Sequence, residues 1–481
     1  MTAPKAQISS RSTTWVLALA SVASLMVALD TLVVSTALTT IRLELGASIE
    51  QLEWTVNAYN LTLAVLLLPA AALGDRFGRR RMFTAGLGLF VAASAACALA
   101  PDAGSLIAAR AVQGAGAALV ITLALALVSA AFPAERRGFA IGILEGITGL
   151  AVVAGPVIGG AVAEGISWEW IFWINVPIGL AAIPLALARI EESFGGDTAL
   201  DVGGFALVAG GALGVVWGLV RGNSAGWGSA EVVAALAVGA ALLTAFVAWE
   251  LRAREPMLPM RFFRSRAFSS GNAGVFFLFA SLFGAVFFLA QFLQTGLGHG
   301  PLGAGLLLAP WTGTLFVVAP IAGALVDRIG ERPLLVGGLV LQAVGMAWIA
   351  LIAEPGLAYG ELIAPLVVAG IGASMAIPPA ASSVVGAVAQ EEVGKAAGAN
   401  SMLRELGGVF GIAILVAVFA GAGSYASAGA FSDGFARAIA VSAALSLVGA
   451  IAGLGLPGRP QATEAASRPE PVAAFETEGR G

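Results

Sequence analysis

Apolar residues gather along this chain in runs of about twenty, and the short breaks between them hold most of the charged side chains. A helix of that length crosses a hydrocarbon core of about 30 Å. The pattern predicts fourteen spans, near residues 15–37, 54–73, 82–100, 105–131, 139–162, 170–188, 201–220, 231–250, 268–293, 303–326, 333–353, 361–386, 398–420 and 433–456. Backbone polar groups that face lipid find no water to bond, so the spans must be helices rather than an open sheet. The expected fold class is therefore an all-α integral membrane bundle.

The two ends of the chain repeat one another. Leu73-Gly74-Asp75-Arg76-Phe77-Gly78-Arg79-Arg80 is similar to Leu325-Val326-Asp327-Arg328-Ile329-Gly330-Glu331-Arg332, a displacement of 252 positions. The same displacement carries spans one to five close to spans nine to thirteen, while spans seven and eight have no counterpart. Expected segments are a cytoplasmic N-terminus (1–14), a six-helix bundle (15–188), a linker with two extra spans (189–251), a second six-helix bundle (252–456) and a disordered cytoplasmic tail (457–481). Repeats of this kind place a transport path at their interface.

Arginines set the orientation. Arg76, Arg79, Arg80 and Arg81, then Arg136 and Arg137, then Arg252, Arg254, Arg261, Arg264 and Arg266 fall in loops on one side, which reads as cytoplasmic with both termini. The opposite loops carry Arg42 and Arg221 among Glu50, Glu53, Glu164 and Glu354. The first run follows Lys5 and Arg11 as a secretory leader would, but it is long, contains Asp30 and lacks a clear cleavage site, so it is read as a span.

Composition narrows the function. Hydrophobic residues are 58% and charged residues 11% of 481, with a mean hydropathy of +0.92, so the bilayer is the solvent for most of the chain. Cys97 and His299 stand alone in their residue types. Intrachain disulfides, cysteine metal sites and triads that need histidine with other partners have no support, and neither a metal, a cofactor nor an enzyme is expected. Lys5 and Lys395 are the only lysines, and Gly394-Lys395 lacks the preceding glycines of a phosphate-cradling loop, which argues against ATP. A net charge of -4 without a basic cluster argues against nucleic acid. Abundant Ala, Gly and Arg point to a high-GC bacterial genome.

Several segments resemble the drug:proton antiporters of the major facilitator superfamily, in the branch with fourteen spans. They are Leu29-Asp30-Thr31-Leu32-Val33-Val34, the Asp75 loop, Arg110 to Gly116, Gly149 to Gly160, Trp168 to Gly179, Asp201 to Gly204 and Glu255-Pro256-Met257. The likeness covers about residues 15 to 456, and within the branch the chain is similar to the self-resistance exporters of antibiotic producers, those for lincomycin included. The resemblance implies efflux of a small hydrophobic or cationic molecule from the cell in exchange for protons. A metabolite transporter of the same fold is the alternative, and a transport-inactive sensor is a further rival.

Asp30 sits about fifteen residues into its helix, roughly 22 Å along it at 1.5 Å per residue. Arg110 enters the fourth span to a similar depth, so the two could pair. An intramembrane ionisable group is costly and defaults to a functional reading. The resemblance implies that Asp30 and Arg110 couple protons, whereas a plain ion pair would only lock two helices. Glu145 is a further coupling candidate if it faces a cavity, and Glu405, beside Arg404, a weaker one. Gly149, Gly155, Pro156, Gly159 and Gly160 permit close helix contact and a bend, and by resemblance they form the antiporter helix that limits proton leak. Asp75, Arg76, Gly78, Arg79 and Arg80, with Asp327 and Arg328, read as topology anchors and by resemblance as a conformational latch, the Asp carboxylate lying near a helix N-terminus. Ala71 stands where the family has glycine; Gly323 keeps it in the second half. Trp54, Asn57, Tyr59, Asn60, Gln113, Gln291 and Gln294 either line a substrate cavity or satisfy neighbouring helices.

Overall fold

The computed structural model describes residues 10–195, 201–254, 256–388 and 392–458. Fourteen helical spans are present: α1 Thr13–Leu45, α2 Ile49–Phe77, α3 Arg79–Ala98, α4 Ala103–Ala131, α5 Phe139–Gly165, α6 Trp170–Arg189, α7 Val202–Ala225, α8 Ala230–Glu250, α9 Arg266–Gly296, α10 Pro301–Val326, α11 Glu331–Ile352, α12 Tyr359–Val385, α13 Val393–Ala420 and α14 Ala428–Gly453. Several run further than hydrophobicity alone marks, α1 by eight residues beyond 37. At the N-termini of α2, α4 and α14, polar caps rather than apolar limits set the ends. Ser48 and Asp102 close capping boxes on α2 and α4, and Ser427 caps α14.

Three spans are interrupted. The first turn of α6, Trp170–Trp173, breaks from Asn175–Arg189 at Ile174, immediately before Asn175-Val176-Pro177. α9 finishes in a wide turn over Phe292–Gly296. α10 is broken into Pro301–Leu307, Ala309–Thr312 and a last helix, Thr314–Ile329, that runs three residues past the span, with Pro310 and Gly313 at the joints. Proline removes a backbone donor and clashes with the preceding turn, so such helices break or kink.

The first six and last six spans form two bundles, and α7 and α8 pack on each other outside them. Arg221 of α7 reaches Glu50 of α2 at 3.4 Å and Glu231 of α8 at 3.2 Å, while Trp217 lies 5.9 Å from Trp54. The inserted pair is thereby fastened to the first bundle at the acid-rich end.

Between the bundles lies a cavity of about 1710 Å³. It reaches from Leu32, Pro156, Val286 and Trp311 at mid-depth to the arginine-rich end, where Asp75, Arg79, Asp201 and Lys395 border it. At the opposite end the bundles touch. A Cβ on Gly160 would stand 2.3 Å from the Pro301 carbonyl oxygen, and one on Gly305 would stand 2.2 Å from that of Pro156, so α5 and α10 meet backbone to backbone. Gln294 donates to the Thr36 carbonyl at 3.0 Å, Glu164 accepts from the Leu302 amide at 2.9 Å, and the Arg42 guanidinium lies 4.1 Å from the Tyr425 ring centre.

Candidate functional site

Asp30 lies midway along α1 with none of its side chain exposed, and Arg110 of α4 meets it at 2.5 Å with 1% exposed. Taking two opposite charges out of water is tolerable only where hydrogen bonds satisfy what remains of each. That condition is met here. Asp30 Oδ2 accepts from Arg110, and Oδ1 accepts from Gln113 Nε2 at 2.8 Å and Asn175 Nδ2 at 2.9 Å. Arg110 also donates to the Gln113 oxygen at 2.8 Å and to the Thr55 carbonyl at 3.2 Å, and its guanidinium lies 4.0 Å from the centre of the Tyr59 ring. Asn175 bonds Ser94 at 3.0 Å, Ser94 donates to the Phe172 carbonyl at 2.9 Å, and the Cys97 thiol donates to the Gln113 oxygen at 3.5 Å. Every donor around Asp30 is an N–H, so the network fits the ionised carboxylate; a protonated acid would have to displace one of them.

Close approach makes the cluster possible. A Cβ on Gly114 would stand 2.3 Å from the Tyr59 carbonyl oxygen, so α4 rests on α2 only because that residue is glycine. Asp30 itself does not line the cavity, but its neighbours Thr31 and Leu32 do. The Thr31 hydroxyl lies 3.3 Å from the Tyr59 hydroxyl, and the Tyr59 ring carries Arg110. Thr31 and Tyr59 therefore form the thin wall between cluster and cavity.

The antiporter-helix residues divide. Gly155 packs on Leu32, Gly159 on the Val33 carbonyl and Thr36, and Gly160 on Pro301, whereas a Cβ on Gly149 would meet nothing. Gly149 and Pro156 line the cavity. The side chains of Glu145 and Asp327, and Glu255, fall outside the described residues.

In the Asp75 loop, Arg79 Nε donates to Asp75 Oδ1 at 2.8 Å, Arg76 lies over the Phe77 ring, and Gly78 holds φ at 104°, a left-handed value that suits glycine. The anion at the N-terminus of α3 is Glu192, from the segment after α6, rather than Asp75. Its Oε1 accepts the Arg80 amide at 2.9 Å, and the Arg80 and Arg81 side chains approach it at 3.7 and 3.6 Å. Asp75 precedes that terminus, and its backbone carbonyl accepts the Gly195 amide at 3.1 Å. In the second half Arg328 lies in the last turn of its helix, which ends at Ile329 before Gly330, whose φ is 87°, while Glu331 accepts from Ser382 at 2.8 Å.

The large cavity contains none of Trp54, Asn57, Tyr59, Asn60, Gln113, Gln291 or Gln294 in its lining. Gln113 bonds to Asp30, Gln291 to the Tyr425 hydroxyl and Gln294 to the Thr36 carbonyl, all on other elements, while Asn57 bonds within its own helix to Glu53 at 3.2 Å. The walls are instead Leu63, Phe279, Phe283, Trp311 and Phe316, with Lys395 and the Arg404–Glu405 pair, closed at 3.0 Å. Sequence reading also missed Asn175 and Ser94, whose membership depends on contacts across 145 and 81 positions. It missed the depth of Glu53 as well. That carboxyl is fully buried and forms no ion pair, and Glu53 Oε2, Asn57 Oδ1 and Asn60 Oδ1 lack partners along one face of α2.

Comparison with known proteins agrees with this architecture. The family model described as Major Facilitator Superfamily matches residues 20–411 and 271–478. The chain is 35% identical over 401 residues to a tetracenomycin C resistance and export protein of Streptomyces glaucescens, covering 82% of this chain and 74% of that one. It is 34% identical over 411 residues to a cephamycin export protein of Amycolatopsis lactamdurans, covering 84% and 85%. Among solved structures, a bacterial homologue of the human lysosomal transporter Spinster, inward-facing and unoccupied, superposes with a TM-score of 0.65 at 15% identity over 93% of this chain and 98% of that one. Fourteen membrane helices in two bundles, a cavity between them and these likenesses converge: the chain belongs to the Major Facilitator Superfamily of membrane transporters.

Proposed function

We propose that the protein exports a hydrophobic, drug-like antibiotic across the bacterial cytoplasmic membrane in exchange for protons and so confers resistance. The observation that carries this reading is a buried, fully hydrogen-bonded Asp30–Arg110 pair, one residue along α1 from the cavity wall. With the arginine-rich face and both termini in the cytoplasm, the cavity opens inward. Its largely apolar walls and its size suit a polycyclic molecule drawn from the cytoplasm or inner leaflet, as do the antibiotics named for the similar exporters.

In the inward-open form Asp30 holds Arg110, Gln113 and Asn175 as an anion. When the bundles rock and open the outer side, a proton reaching Asp30 neutralises the carboxylate and weakens its hold on Arg110. Arg110 then shifts on Tyr59, which carries the change to Thr31 at the cavity wall. Release of that proton inward restores the present network. The Gly155–Gly160 contact keeps the outer side shut while the inner side is open, which limits leak. Asp75, Arg79 and Glu192 steady the inner turn and bias the two states.

Purified protein in liposomes with an imposed pH gradient tests this, with tetracenomycin C and a cationic dye as cargo. Uphill movement should require the gradient and vanish in Asp30→Asn, while that variant still folds. Undiminished uphill movement by Asp30→Asn would remove the aspartate from the mechanism.

A further inference from the structure

The inserted pair α7 and α8 carries two carboxyl groups that the Asp30 cycle does not use. Asp201 caps the N-terminus of α7, where Oδ1 accepts the Gly204 amide at 2.7 Å and the Trp249 indole N–H at 2.8 Å. Glu250 ends α8, is 3% exposed, and accepts the Leu258 amide on Oε2 at 3.0 Å. One oxygen of each is left over. Asp201 Oδ2 and Glu250 Oε1 are both buried without a donor, and each lies 2.6 Å from the point where a Cβ on Gly204 would stand. Both oxygens lie 2.6 Å from that one point, so the two carboxyls face each other across the glycine no more than about 5.2 Å apart. Among the described residues no cation pairs with either one, and Arg252 and Arg254 on the adjoining connection form no ion pair with them.

Two ionised carboxylates in that position would repel each other, because the oxygens that face one another are buried. Helix dipoles divide their roles. A helix N-terminus favours the anion on Asp201, and a helix C-terminus disfavours one on Glu250.

We propose that Asp201 and Glu250 share one proton, carried on Glu250 Oε1 and donated to Asp201 Oδ2, which makes the inserted helix pair a second proton-binding site. Asp201 borders the large cavity together with Val202, Pro256 and Met257, so the proton exchanges with the solution that fills it. While the proton is present, the base of α7 and α8 is drawn onto the segment that leads into α9. Its loss sets two like charges face to face and loosens that junction. The extra helices thus sense proton availability at the arginine-rich face, independently of Asp30.

Infrared difference spectroscopy of the purified full-length protein tests this without any need for transport. Wild type at neutral pH should show the carbonyl stretch of a protonated carboxyl that Glu250→Gln lacks, and alkaline pH should remove it. Asp201→Asn should lose the same band, because its amide donates to Glu250 and holds it as the anion. That variant can keep the bond to Gly204 through its side-chain oxygen, so it carries the test if Glu250→Gln fails to fold. Asp30→Asn should retain the band. Equal bands in wild type, Glu250→Gln and Asp201→Asn would overturn the proposal. So would a band abolished by sodium or magnesium in place of choline, which would assign the two oxygens to a metal cation.

Discussion

Replacing Gly160 by valine puts a side chain where the bundles close on one another. A Cβ there would stand 2.3 Å from the Pro301 carbonyl oxygen and 2.7 Å from the Leu302 Cα. Both are backbone atoms, which cannot swing aside as a side chain can. Ordinary contact begins near 3.4 Å, so α5 and α10 must separate by about 1 Å, and more for the valine methyls. Overpacking of this kind costs about 1–3 kcal/mol. The cost falls on the state in which the two helices touch, so the balance between the two open states should move by roughly 5- to 150-fold toward the other. Ser35→Cys supplies a reporter on α1 at this end, and Cys97 stays silent because it is fully buried. Labelling of Ser35→Cys in intact cells by a membrane-impermeant maleimide should accelerate by that factor in Gly160→Val. Gly149→Ala, in the same motif but with no atom within 4 Å of its Cβ, is the control. Equal labelling rates in the two variants would refute the claim that this contact holds the outer side shut.

Further outcomes follow from the same geometry. Arg110→Ala should destabilise the detergent-purified protein by about 3–5 kcal/mol, because it strands the Asp30 carboxylate out of water; adding Asp30→Asn should restore much of the melting temperature, and failure to do so would contradict the pairing. Glu53→Gln should leave the melting temperature unchanged or raise it, since the amide offers donors to the orphaned Asn57 and Asn60 oxygens; a marked fall would show that the charge is needed. Arg42→Ala should remove a cation–π contact worth about 0.5–2 kcal/mol and raise labelling of Ser35→Cys, with the milder Arg42→Lys falling between.

Hydrophobic run length marked the spans because the bilayer imposes one length on every helix, and Asp30 and Arg110 could be paired from depth alone because helix rise converts position to height. The remaining members of their cluster could not. Asn175 reaches Asp30 because α6 breaks at Ile174, and an apolar run does not show such a break. The polar residues of α2 stood out as candidates for a cavity, yet in the folded chain Trp54 packs on Trp217, Tyr59 on Arg110, and Asn57 bonds Glu53 within the helix, while leucine and phenylalanine form the walls. Polarity in a span therefore marked helix contacts better than it marked the path. Glu192 was unremarkable in an acidic loop, and only the turn of the chain after α6 brings it to the end of α3.

Asp30, Tyr59, Ser94, Cys97, Arg110, Gln113 and Asn175 all belong to the first six spans. Nothing in the cluster is lent by the second bundle, so the whole assembly can swing as cargo inside one rigid piece, its bonds intact, however far the partner bundle moves. In the proposed cycle, a change of charge at Asp30 speaks to the other side by altering the shape of its own bundle's inner wall, and not by cutting a tie between the halves.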